Sequence, residues 1–295
     1  MDIEYYGAID IGTNSGKLLI GYIIRSDNQL SIKKALLTRI PLRLGEDVYS
    51  DGKISLAKLD QLTHAFTAFK HLMKAYNVKA YHAVATSAMR EAENSTEICK
   101  TLYKNTGIDL EIIDGKQEAD YLFTLFKTQN INHSKSYLFV DVGGGSTELT
   151  IVKNGVRHKS KSFKIGSLRA IKVKPDQAIW DKVENWLKDN CCNGDQLTAI
   201  GTGGNINRIL KFTKKKPLNP LNVNEIQSIL NDIASYSPED RVDILGLKPD
   251  RADVIIPAGE IYLKIMRIAG IDEVLVPKIG VSDGIIYNLH LQNQH

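Results

Sequence analysis

One short pattern occurs twice in this chain at a fixed spacing, and that repeat limits what the chain can fold into. Asp10, Gly12, Ser15, Leu18 and Ile20 recur as Asp141, Gly143, Ser146, Leu149 and Ile151, each pair 141 − 10 = 131 positions apart. Each copy reads as a buried strand, a glycine turn carrying small hydroxyl and amide side chains, and a second strand. Such a turn gathers several backbone N–H groups into one concavity, which suits a phosphate oxygen. An ordinary β-hairpin with glycines at positive φ explains either copy alone. It does not call for an Asp two residues before the Gly and a Ser three after it, twice over. The pair therefore points to two similar half-domains that address one phosphate.

Length and patterning agree with a duplication. A chain of 295 residues fits two domains. The runs read as β 6–11, 18–24 and 30–40, a turn-rich stretch 45–52, α 56–76, β 80–85, α 91–105, β 109–113 and α 116–127. After a short polar segment, 128–134, come β 136–141, 148–153 and 156–163, and α 167–172 and 176–189. Then follow β 197–200, α 205–212, 224–236, 238–245 and 250–270, β 273–276 and α 280–291. Three strands followed by αβ units, twice, predict an α/β fold of two βββαβαβα domains with mixed sheets. The domains are placed at 1–128 and 129–295, with the terminal helix 280–295 able to pack back on the first.

Composition excludes several classes. With 38 basic and 34 acidic residues, the net charge of +4 does not by itself make a nucleic-acid protein, although a local basic surface facing a polyanion stays open. Cys99 and the adjacent Cys191 and Cys192 do not build a disulfide framework, and the seven histidines form no zinc pattern. The acidic N-terminus does not resemble a signal peptide, and no apolar run approaches a bilayer span. A cytoplasmic protein with no nucleic-acid or membrane partner is expected.

Further segments complete a resemblance. Ala85-Thr86-Ser87-Ala88-Met89-Arg90, Ile113-Asp114-Gly115-Lys116-Gln117-Glu118-Ala119, the run from Asp141 to Glu148, Gly201-Thr202-Gly203-Gly204 and Arg251-Ala252-Asp253-Val254 join the first turn. Together they resemble the exopolyphosphatase/guanosine pentaphosphate phosphatase family of the actin-like (ribonuclease H-like) superfamily, over nearly the whole chain. The resemblance implies two actin-like domains with the active site in the inter-domain cleft. It also implies Mg²⁺-dependent hydrolysis (Mn²⁺ as a substitute) of the terminal phosphate of polyphosphate or the 5′-phosphate of guanosine pentaphosphate. Many relatives are dimers, so a homodimer is expected.

Read onto this chain, the resemblance makes Glu118 the general base. By its position alone Glu118 reads equally as a helix-start glutamate that complements the macrodipole. Arg90 is assigned as a clamp on phosphate oxygens. Asp141 and Glu148 are assigned to the metal, directly or through water. Asp10 is balanced between sharing that metal, or orienting water, and capping its own turn. The phosphate-binding set is Gly12, Thr13, Asn14, Ser15, Gly143, Gly144, Gly145, Ser146, Thr147, Gly201 and Gly203. Lys211 and Lys214–Lys216 read as a solvated surface, with a polyphosphate exit channel as the alternative.

Some positions depart from the family pattern: Gln117 where a second acid is common, Gly16-Lys17, Gly204-Asn205, and Ser282 where an Arg is common. These departures fit a rival reading, a nucleotide- or polyphosphate-binding sensor without turnover. A small-molecule kinase is a second rival, opposed by the Gly115–Ala119 segment.

Overall fold

A computed structural model describes residues 3–26, 29–191 and 197–294; Cys192 lies outside them. The chain forms two compact units. One comprises Met1–Asn130 together with Ile279–His295, the other Ile131–Lys278. Residues 279–295 thus belong to the first unit, and the second ends at Lys278 rather than His295.

The first unit holds β1 (Tyr6–Ile11), β2 (Ser15–Ser26), β3 (Gln29–Pro41), α1 (Leu44–Asp51), α2 (Leu56–Ala75), β4 (Ala80–Ala85), α3 (Ser87–Glu91), α4 (Ser95–Thr106), β5 (Glu111–Ile112) and α5 (Gly115–Phe126). Its sheet order is β3-β2-β1-β4-β5, with β1, β4 and β5 parallel. The second unit holds β6 (Tyr137–Val142), β7 (Thr147–Lys153), β8 (Val156–Phe163), α6 (Ser167–Lys172), α7 (Gln177–Cys191), β9 (Thr198–Thr202), α8 (Gly204–Phe212), β10 (Leu221–Asn222), α9 (Val223–Ala234), α10 (Pro238–Asp243), α11 (Pro249–Ala252), α12 (Ile255–Ile268) and β11 (Glu273–Leu275). Its order, β8-β7-β6-β9-β11-β10, repeats that of the first sheet and adds β10. The last helix, α13 (Val281–Gln292), buries Ile285 and Ile286 with Tyr6, Ala8 and Leu19 of the first unit. Gly284 permits the approach, because a Cβ there would strike the backbone of Tyr121.

The duplication reaches the irregularities. The register of β2 against β3 shifts between Ile20 and Gly21, and that of β7 against β8 between Ile151 and Val152. These breaks lie 151 − 20 = 131 positions apart, the same spacing as the sequence repeat. A β-bulge kept in both halves is part of the fold, not noise.

The structure corrects four readings. Residues 45–52 are not a turn but α1, with Leu44 and Val48 buried, Glu46 and Asp47 in the first turn, and Gly52 at φ 72 closing it. The helix read at 91–105 begins only at Ser95, as α4, and Ser87–Glu91 before it form a separate short helix, α3. Asn94 between them exchanges two hydrogen bonds with the backbone of Ile54, 2.8 and 3.0 Å long. The helix read at 250–270 is broken at Asp253-Val254. Pro257, lacking an N–H, sits without cost only in the first turn of α12. The two-residue β10 carried no periodic signal.

Candidate active site

Within each unit the predicted residues gather at the carboxyl edge of the parallel strands, where open α/β sheets bind ligands. In the first unit, β1 and β4 pair with Ile11 opposite Ala85. The Thr86 N–H donates to the Ile11 carbonyl, 3.0 Å, and the Ile113 N–H to the Ala85 carbonyl, 2.9 Å. The Gly12–Ser15 turn, Arg90 and the start of α5 therefore leave the sheet side by side.

The first turn closes by Gly12 N–H to the Ser15 carbonyl, 3.0 Å. Its own carbonyls are taken up at the start of α1: Arg43 N–H donates to Asn14 and Gly45 N–H to Thr13. This leaves N–H groups as the turn's other polar face. Closing on Thr13-Asn14 sets Asp10 opposite Lys17. Lys17 Nζ lies 3.0 Å from Asp10 Oδ2, and Ser282 Oγ donates to the same oxygen at 3.5 Å. Asp10, 6% exposed, is thus committed to an ion pair inside its own unit.

Glu118, also 6% exposed, stands one turn into α5. Arg90 Nη1 donates to its Oε1 at 3.1 Å and to the Ile113 carbonyl at 2.6 Å. Arg90 thus orients Glu118, a role that sequence did not assign it. Gln117 forms a capping box with Asp114 and donates to Glu111 Oε1 at 3.1 Å. The departure at Gln117 is thereby explained: its side chain serves the helix start and β5.

In the second unit Gly143 N–H donates to the Ser146 carbonyl, 2.9 Å, and the strands pair Asp141 with Glu148. Where the first turn sets a lysine against its Asp, the second sets another carboxylate. Glu148, 4% exposed, accepts from Ser146 Oγ at 2.7 Å and Ser162 Oγ at 2.8 Å, both on Oε1. The turn's carbonyls again face a helix start. Ser167 N–H donates to Gly143, Leu168 and Arg169 N–H donate to Gly144, and Arg169 Nε donates to Gly145 at 2.6 Å. Gly166 is required here, because a Cβ would lie 2.5 Å from the backbone of Gly144 and Gly145.

β6 and β9 pair with Asp141 opposite Thr202, so the Gly203-Gly204 turn emerges beside the Gly143 turn. Gly203 has φ 101, and its Cβ would meet the Val142 carbonyl and Asp141 Oδ1 at 3.0 and 3.1 Å. Arg251 Nη1 donates to the Gly204 carbonyl at 2.5 Å and holds the turn. Tyr262 OH shares its proton between the carbonyls of Val140 and Thr202, bracing the two strands. Burial pushes its phenol well above the ordinary range, and the Asp141 charge adds to the shift.

Two predicted phosphate ligands have other duties. Thr147 is fully buried and donates its hydroxyl to the Ile165 carbonyl, 2.6 Å. Gly201 lies inside β9, where a Cβ would press on Val274, Ile206 and Tyr262. Lys215 pairs with Glu225, 2.6 Å, so the lysine run is partly neutralised beyond the far end of α8. Sequence reasoning missed Ser162 and Arg169 as site residues. Ser162 is hidden by the bulge: a regular hairpin through Asn154-Gly155, pairing Lys153 with Val156, would bring Lys161 opposite Glu148. No local signal marks Arg169.

The donor set suits Mg²⁺, which keeps several waters and takes one or two carboxylates plus substrate oxygens. Asp141 and Glu148, opposite each other across the strands, are a pair of carboxylates of that kind, and among the described residues no cluster of three acidic, His or Cys ligands exists. No helix among the described residues is long and apolar enough to cross a membrane.

The sequence model of the Ppx/GppA phosphatase family matches residues 22–293. The chain belongs to that family. Among its Ppx/GppA relatives, exopolyphosphatase 1 of Mycobacterium tuberculosis is 24% identical, over 95% of this chain and 86% of that protein. The bifunctional 3-dehydroquinate synthase/phosphatase of Fusobacterium nucleatum is 25% identical over 91% of this chain, which spans only 44% of that protein's length. Guanosine-5′-triphosphate,3′-diphosphate pyrophosphatase of Aliivibrio fischeri is 23% identical, with 98% of this chain matched to 60% of its length. The crystal structure of an exopolyphosphatase from Cytophaga hutchinsonii superposes with a TM-score of 0.81 at 21% identity, covering 97% of each chain. The Aquifex aeolicus Ppx/GppA family member gives 0.77 at 24% identity over the whole of both chains. The two mixed sheets are those of the two-domain, actin-like Ppx/GppA fold.

Proposed function

We propose that this protein is a Mg²⁺-dependent hydrolase that releases the terminal phosphate of inorganic polyphosphate or the 5′-phosphate of guanosine pentaphosphate. The observation that carries the reading is the contrast at the strand ends. One turn neutralises its Asp internally and neighbours a buried glutamate held by an arginine; the other faces two carboxylates with serine donors behind them. The relatives named exopolyphosphatase and pyrophosphatase support the substrate class.

Phosphoryl transfer needs mainly positioning and charge stabilisation, which fits a site assembled without a Ser, Cys or His nucleophile. The N–H groups of the Gly143–Ser146 turn receive phosphate oxygens. Glu118, fixed by Arg90, orients a water and accepts its proton. Asp141 and Glu148 would hold the metal, with Ser146 and Ser162 fixing the Glu148 carboxylate. When bound, Mg²⁺ neutralises charge on the phosphate oxygens. Asp10 orients Lys17 and the start of α13 rather than the metal.

The test is phosphate release with Mg²⁺ from short and long polyphosphate, guanosine pentaphosphate, ATP and a sugar phosphate. Release from one of the first three is expected. Silence on all three, with nucleotide or polyphosphate still bound, would overturn the reading in favour of a sensor.

A further inference from the structure

We propose that Thr202 is a further positioning residue of the second unit's site, its hydroxyl receiving a hydrogen bond from a water on the metal beside Asp141. This rests on the Mg²⁺ reading above and extends it to a side chain outside the carboxylate pair.

Strand register sets four residues in one row across the end of the second sheet. Thr202 of β9 stands opposite Asp141 of β6, Asp141 opposite Glu148 of β7, and Glu148 opposite Ser162 of β8. Residues opposite one another in a ladder share a face, so all four side chains leave the sheet on the same side. Val140 and Val142, which alternate with Asp141, take the other side and join the core. At one end of the row the hydroxyl is in use, since Ser162 donates to Glu148. At the other end it is not. Thr202 is 1% exposed, and its Oγ1 is buried without a hydrogen-bond partner among the described residues. An unpaired buried hydroxyl lowers stability, and native structures keep few of them.

The plain explanation is that threonine suits a strand through its β-branch. Valine gives the same branch and nearly the same shape without the unpaired oxygen, and the first unit uses it. There β1 and β4 pair in the same parallel sense, with the fully buried Val84 opposite Asp10. On its other side Asp10 faces Lys17. The two units thus place valine beside the Asp that a lysine neutralises, and threonine beside the Asp that faces a second carboxylate. The hydroxyl stands in the unit whose charges call for a cation.

Mg²⁺ keeps several of its waters, and a threonine oxygen has lone pairs to accept a proton from one of them. Partners of this outer kind orient a metal's ligands and raise its affinity. Thr202 is held in place for such a contact. Its backbone carbonyl accepts from the Tyr262 hydroxyl, and its β-branch restricts χ1. Gly203, next in the chain, passes so close to the carboxylate that a Cβ there would lie 3.1 Å from Asp141 Oδ1.

The test combines two measurements on the wild type, Thr202→Val, Thr202→Ser and Asp141→Asn. One is Mn²⁺ binding followed by electron paramagnetic resonance, with Mg²⁺ as competitor; the other is thermal unfolding without metal. Thr202→Val is expected to bind Mn²⁺ about tenfold more weakly. Without metal it should melt about 2–4 °C higher, because the unpaired hydroxyl is gone. Thr202→Ser should keep the wild-type affinity. A threonine with a purely structural role would give the opposite pattern, a less stable valine variant with metal binding intact. Unchanged Mn²⁺ affinity in Thr202→Val, a melting temperature that falls, or equal weakening in Thr202→Ser overturns the proposal. If Asp141→Asn weakens Mn²⁺ binding and Thr202→Val does not, the metal site stands without Thr202. If neither weakens it, the Mg²⁺ reading fails as well.

Discussion

The two glycine turns share a backbone and differ in charge. Each closes by a Gly N–H to Ser carbonyl bond, each rests its carbonyls on a helix start, and each lies in a hairpin followed by the same bulge. The residue across from the strand-end Asp is what differs: Lys17 against Asp10, Glu148 against Asp141. One side chain thus gives the first turn an ion pair with its Asp and sets a second carboxylate beside the Asp of the other.

The largest effect is expected at the base. Glu118→Gln should lower kcat about 10²-fold or more with KM little changed, as removal of a group acting in the transition state does. Steady-state phosphate release checks it, and wild-type turnover would remove Glu118 from the mechanism. Next comes the packing of the turns. Gly166→Ala forces a Cβ against backbone and should cost about 1–3 kcal/mol in denaturant unfolding. Gly12→Ala in the first turn meets only the Ser15 carbonyl at 3.4 Å and should cost less. Equal costs would break the contrast between the turns.

Ser162→Ala removes one of the two hydroxyls on Glu148 Oε1 and should cost about 1.5–3 kcal/mol of stability, the range for a hydrogen bond to a charged group. The smallest effect belongs to α13. His290 packs edge-on against Tyr6, and burial holds its imidazole below the ordinary range. The unfolded chain therefore binds the proton more readily, so stability is full above about pH 6.5 and falls as pH drops through that value. A His290→Gln variant should show a flatter stability curve on mild acidification in thermal unfolding.

How much of this was legible follows from where the information lies. The Asp–Gly–Ser turns stood in the sequence as a repeat, and pairing across a two-residue closure already sets Asp10 against Lys17 and Asp141 against Glu148. Ser162 was not legible, because one bulge after Ile151 replaces Lys161 with Ser162 and so decides whether Glu148 meets a cation or a hydroxyl. Arg90 was visible as a site residue, but its partner was not: the contact with Glu118 spans 28 residues and depends on β4 and β5 lying parallel. Thr147 and Gly201 carried the motif, yet Thr147 turns its hydroxyl to the buried Ile165 carbonyl and Gly201 sits where a Cβ would press on the core, since motif membership does not tell which face of a strand a residue takes.

The central claim is tested most directly by titrating phosphate release against Mg²⁺ for the wild type, Asp141→Asn and Asp10→Asn. The account predicts that Asp141→Asn raises the Mg²⁺ needed for half-maximal rate about tenfold or more, while Asp10→Asn leaves it nearly unmoved. Equal shifts in the two variants, or a shift in Asp10→Asn alone, would contradict the division of labour between the turns.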